Sequence, residues 1–251
     1  MIGFGELRRL SAQWQIDLTQ VERAYALDWL VKAIFDHAIL SRALILRASA
    51  ALWYAHCADY PRPEHPEFLL TQSLDIPAAL IEAIRVSREV RFMFVARARG
   101  IAQVEYTGPL GRRSAAQPRL TLSFVPGQSR LPPARVPLLH RFSDACAATV
   151  QAIALDELVA ERLATITRHP RARDVFDLWF VLTHARAKVD LAHAHAIAHA
   201  IAREKKQTLP HADWSLDPAL ARVWDAALRD VRDRPTLAQV ENDLHAIFST
   251  W

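Results

Sequence analysis

The sequence predicts an α+β fold in which strands with flanking helices, over residues 1–154, are followed by a C-terminal helical bundle over residues 155–251. Three observations carry this. Segments 91–98, 104–106 and 119–125 alternate or hold β-branched and aromatic residues, and Gly108, Gly111, Pro118, Pro126 and Gly127 punctuate them as turns between meandering strands. After Gly127 the chain has no glycine, while alanine and leucine dominate, which favours helix. Val175, Leu178, Trp179 and Leu182 fall at i, i+3, i+4 and i+7, the buried stripe of an amphipathic helix.

Taken in order, Leu18, Val21, Tyr25, Trp29, Val31 and Ile34 fit one helix over Trp14 to His37, with Asp17 or Thr19 as its cap. Leu44 to Leu46 is short, apolar and followed at once by SAALWYAH, a buried strand feeding a helix. The prolines of YPRPEHPEF hold the chain irregular or extended until a strand at Phe68 to Leu70. A helix follows over Ile76 to Val86, opened by Asp75 and Pro77. After the meander, LPPARVP reads as a loop and Thr149 to Ile153 as a last short strand. Helices are expected near 156–168, 173–185, 190–206, 217–231 and 236–249.

Composition narrows the setting. A chain of 251 residues buries a real core, and no apolar run approaches the ~20 residues that cross a bilayer. No secretion signal opens the sequence, and Cys57 and Cys146 make no disulfide framework, so a reducing, bacterial cytoplasm is the expected location. The net charge of +4 is unevenly spread: nine arginines lie between Arg91 and Arg141 against one acid, Glu105. Such a strip, with Arg97, Arg99, Arg112, Arg113 and Arg119 at its centre, either contacts the phosphates of a tRNA-sized RNA or is the solvated side of a sheet. His195 and His199 have the i, i+4 spacing of helical metal sites, or simply share a polar face. Asp28 and Lys32 read as an ordinary surface pair.

Charges between Leu155 and Leu182 are placed where the apolar period does not need them. The order Glu161-Arg162, Arg168, then Arg171-x-Arg173-Asp174-x-x-Asp177-Leu178 resembles the C-terminal signature of the AbiEii/AbiGii-type nucleotidyltransferase toxins. A second block, VERAYALDWLVKAIFDH followed by LILRASAALWYAH, resembles the segment that opens the same family. The resemblance implies a nucleotidyltransferase-like small mixed sheet whose strand ending near Arg47 neighbours the strand at Phe68 to Leu70. It further implies Mg²⁺ and an NTP as cofactors, and a cognate antitoxin or other protein as partner.

Residue by residue, the resemblance places Arg162, Asp174 and Asp177 in the catalytic set, Arg47 and Ser49 at the nucleotide, and His65 and Glu67 at the metal. Several of these depart from the family pattern. A Gly-Gly-Ser/Thr turn, which lets backbone N–H groups approach phosphate, falls here on Ala48, Ser49 and Ala50. The metal-binding Asp-x-Asp becomes His65-Pro66-Glu67, although Mg²⁺ prefers oxygen ligands. The Glu-Lys pair becomes Glu161-Arg162, exchanging a compact ammonium for a planar fork, and a Lys-Asp pair upstream becomes Arg23-Ala24. Packing positions are kept while chemical ones change. Two readings follow: a protein of this fold with transfer lost or much reduced, acting by binding RNA or a protein, or an active Mg²⁺-dependent enzyme adding nucleotides to RNA or protein in a toxin–antitoxin or phage-defence setting.

Overall fold

A computed structural model describes residues 1–111, 118–167, 170–210 and 214–249, with Arg97 described by its backbone alone. Two compact units divide the chain, Met1–Ile153 and Ala154–Trp251. Among the described residues no helix is long and apolar enough to cross a membrane.

The first unit opens with α1 (Phe4–Trp14) and α2 (Leu18–Asp36). The single helix expected from Trp14 therefore starts at Leu18, because Gln15 takes a left-handed φ of 57° and closes α1 before Asp17 begins the next helix. Helix α1 itself escaped the sequence reading, since only Leu7 and Leu10 of its residues are buried, too few to mark a stripe. A single turn, α3 (Leu40–Ala43), leads into β1 (Leu44–Arg47), which passes directly into α4 (Ala48–Ala51) and a π-helical continuation at Leu52–His56. Then come β2 (Glu67–Leu70) and α5 (Ile76–Arg85), whose N-cap Asp75 accepts from the Ala78 N–H. The meander is β3 (Arg91–Ala98), β4 (Ile101–Thr107) and β5 (Arg119–Pro126), and β6 (Ala134–Pro137) and β7 (Thr149–Ala152) complete the set.

All seven strands join one mixed sheet in the order β3-β4-β5-β2-β1-β7-β6. Strand β1 runs antiparallel to β2, with Arg47 opposite Glu67 and Leu46 opposite Phe68, and parallel to β7. This is the neighbourhood expected for the strand ending near Arg47. The reading of LPPARVP as a loop is corrected: Ala134 to Pro137 pair antiparallel with β7. Proline is tolerated there because β6 is an edge strand, where a missing N–H breaks no ladder.

Helix α2 packs against α1, α5 and β7. It is buried on nearly every side, with Glu22 and Asp28 among its buried residues. The second unit is helical: α6 (Leu155–Thr165), α7 (Ala172–His184), α8 (Leu191–Lys205), α9 (Leu220–Ala227) and α10 (Leu237–Phe248). Val175, Leu178, Trp179 and Leu182 are all buried, the expected stripe of α7, and Trp179 Nε1–H donates to Asp243 of α10 at 2.8 Å.

Candidate functional site

Strand β1 is apolar and buried until Arg47, and the chain then turns into α4 without a glycine. Ala48 takes the turn at φ 52°, in the left-handed region. An L-residue holds that conformation at a cost of roughly 1–2 kcal/mol, so the joint keeps a backbone that glycine would adopt freely. Ala48, Ser49, Ala50 and Ala51 are buried. Beyond them the Cys57 N–H reaches back to the Leu52 carbonyl at 2.8 Å, closing a π turn of the kind that recurs at functional sites.

Opposite this joint, Arg47 Nη1 stands 3.3 Å from Glu67 Oε1 on β2, and each side chain is about one-fifth exposed (18% and 19%). The pairing follows from the strand register, which sets the two residues face to face. His65, half-buried, lies in the bend two residues before Glu67. These residues do not fit Mg²⁺. The carboxylate of Glu67 is already met by a guanidinium that would repel a divalent cation, and imidazole at 65 is a poor substitute for a second carboxylate oxygen.

In the second unit Arg162 of α6 and Asp174 and Asp177 of α7 come together. Arg162 Nη2 donates to Asp177 Oδ2 at 2.8 Å, and Nη1 lies 3.1 Å from Asp174 Oδ1. Arg171, at the α7 N-cap, grips Asp174 through Nε and Nη2 at 2.9 and 3.0 Å. Asp177 is fully buried and Arg162 nearly so. Burial by itself would lower the Arg162 guanidinium, but the charges of Asp177 and Asp174 more than offset it and hold Arg162 above its ordinary range. Burial likewise pushes Asp174 up, and Arg162 and Arg171 outweigh it, leaving the carboxyl below its usual value. Arg168 lies outside the described residues.

The arginine strip is only partly gathered. Arg119 spends its charge on Glu105, Nε to Oε1 at 3.0 Å. Arg99 sits in the β3–β4 turn at φ 48°, Arg97 lies on β3, and Arg112 and Arg113 lie outside the described residues. Arg141 is structural: its guanidinium rests 3.5 Å above the Trp53 ring and donates to the carbonyls of Cys57, Ala58 and Leu139. On α8 the His195 and His199 rings meet edge to face, centroids 4.4 Å apart.

A network that the sequence reading missed ties α2 to the segment before β7. Asp28 is fully buried rather than a surface partner of Lys32, which pairs instead with Asp36 at 2.6 Å. The carboxylate Asp28 Oδ2 lies 2.7 Å from His140 Nδ1, His140 Nε2 lies 2.9 Å from Asp144 Oδ1, and the Tyr25 hydroxyl donates to Asp144 Oδ2 at 2.6 Å. Burial would lower His140, but hydrogen bonds with Asp28, Cys146 and Asp144 raise it to about 10. Burial pushes Asp28 up as well. The available signal for Asp28 was its place between the apolar residues Leu27 and Trp29; nothing in the sequence pointed to His140, 112 positions away.

Comparison with known proteins comes from two sides. The model of the family described as nucleotidyl transferase AbiEii toxin, type IV TA system, matches residues 67–247. Among solved structures, MenT4, a nucleotidyltransferase toxin of Mycobacterium tuberculosis H37Rv, is similar at a TM-score of 0.64 and 14% identity, over 92% of this chain and 83% of that one. JHP933 from Helicobacter pylori matches at 0.54 and 12%, over 88% and 87%. A putative nucleotidyltransferase from H. pylori gives 0.54 and 12%, over 94% and 95%. At these identities the likeness is one of fold. No curated protein matches the sequence.

Proposed function

We propose, because this chain belongs to the AbiEii family of nucleotidyltransferase toxins of type IV toxin–antitoxin systems, that it serves in such a system by binding a partner, with nucleotidyl transfer lost or much reduced. The observation that supports this best is the Arg47–Glu67 pair. In the family, NTP transfer relies on Mg²⁺. Here the carboxylate at the start of β2 is paired with a cation, and its neighbour two residues back is a histidine. The cluster of the second unit agrees, since two carboxylates already hold the guanidinium of Arg162 and a phosphate would have to displace them.

A second reading, active transfer to RNA or to a protein hydroxyl, draws on one observation. Ala48 retains the left-handed backbone that a glycine phosphate turn would have. Calorimetry with the four NTPs, with and without Mg²⁺, separates the two. The binding role predicts no Mg²⁺-dependent heat; low-micromolar binding that needs Mg²⁺ and disappears in Glu67→Ala would establish the enzyme instead.

A further inference from the structure

One end of the sheet is left open. Among the described residues strand β3 is terminal, eight residues long, and pairs with β4 alone, so its outer edge carries N–H and C=O groups without a strand partner there. The other end is treated differently: β6 has four residues, finishes on Pro137 and follows Pro132 and Pro133, a blunted edge. Strand β3 has no proline, and its one irregularity is a register shift against β4 between Phe94 and Ala96.

Register places Met93 opposite Glu105 and Ala98 opposite Ile101, so these share one face with Arg91 and Thr107. The opposite face holds the buried Ala102, Val104 and Tyr106. On the outer face Met93 is 57% and Ile101 43% exposed. Charge is one-sided. Arg85, Arg88, Arg91 and Arg99 are exposed, residues 85–99 contain a single acid, Glu89, and Glu105 is buried and held by Arg119.

We infer that the β3 edge accepts an extended, acidic segment of a protein partner as an added antiparallel or parallel strand. Main-chain hydrogen bonds would supply affinity, with Met93 on the edge strand meeting an apolar side chain and Arg91, on the same face, selecting for acid. A second copy of this chain would bring arginines against arginines. RNA fits less well, because the residues that share this outer face, from Arg91 and Met93 to Ile101 and Thr107, include no aromatic ring on which a base could stack. The inference rests on the reading that the protein works by contact, and its test uses no nucleotide, so that the two fail separately.

The experiment uses the full chain and a synthetic octapeptide, Glu-Ser-Val-Ser-Glu-Ser-Val-Ser, whose acids and valines share one face of an extended strand, followed by amide hydrogen exchange and fluorescence anisotropy. Exchange should slow at those amides of 91–98 that point away from β4 and stay unchanged at 134–137. Arg91→Glu combined with Arg99→Glu, both at exposed positions, should weaken binding by about tenfold. Four results would each overturn the inference: no slowing at 91–98, equal binding of the same octapeptide with lysine in place of glutamate, stronger protection of the same amides by an oligouridylate, or concentration-dependent protection without peptide.

Discussion

The β1–β2 joint and the α6–α7 cluster both carry charged residues that the family resemblance singles out, but they hold them in opposite ways. At the joint, one ion pair between Arg47 and Glu67 lies partly open to solvent at the ends of two strands. In the cluster, Arg162 is buried between Asp174 and Asp177, with Arg171 gripping the first from outside. A partly exposed pair contributes little to stability. A buried one is hard to replace, because removing either member strands a charge away from water. Burial alone therefore gives the cluster's residues a structural role, whereas the partly open pair at the joint has little such role to fill.

The sharpest way to break this contrast is Arg162→Ala. It leaves the fully buried Asp177 without its cation and is expected to destabilise the protein by about 3–5 kcal/mol, measured by denaturant unfolding. A loss below about 1 kcal/mol would mean that the guanidinium is not a structural group. His140→Ala, which removes the link between Asp28 and Asp144, should cost about 2–4 kcal/mol by the same measurement.

Protonation distinguishes the two buried clusters further. His140 is raised from 6.5 to about 10, so its contribution is complete below pH 6.5 and is lost as pH rises through about 10; burial shifts Asp28 in the same direction. Asp174 is lowered from 3.8, so its contribution is complete above pH 3.8 and is lost as pH falls through its depressed value. Stability-versus-pH curves should thus lose their alkaline decline in His140→Ala and part of their acid decline in Asp174→Asn. Unchanged curves in both variants would refute the assignment.

How much of this was legible in the sequence depended on whether the residues lie close together along the chain. Asp174 and Asp177 lie three apart on one helix, so spacing placed them on one face, and the family resemblance added Arg162 from the helix before. The Asp28–His140 network joins α2 to a loop that the sheet has to position first, and sequence spacing carries no trace of that. Similarly, β6 could not be read from LPPARVP, because its strand character comes from β7 alongside rather than from its own residues. At Ala48 the sequence showed the missing glycine but not that the backbone keeps the glycine-like φ.

Smaller effects sharpen the joint itself. Ala48→Gly should stabilise the protein by about 1 kcal/mol, since it relieves the left-handed strain at φ 52°, despite the greater freedom of glycine in the unfolded chain. Destabilisation there would show that the Ala48 methyl is needed for packing. Arg47→Ala should change stability by only about 0.2–1 kcal/mol, as expected for a partly exposed pair.

The central claim, that transfer is lost or much reduced at a site whose carboxylate is paired with Arg47, is tested most directly by incubating the protein with radiolabelled NTPs, Mg²⁺ or Mn²⁺, and total bacterial RNA or protein. Loss of a preorganised charge contact lowers a rate by about 10²–10³, and several are altered here, so the account predicts no label above background. Label transfer that is abolished by Asp174→Ala would contradict it and show the site to be active.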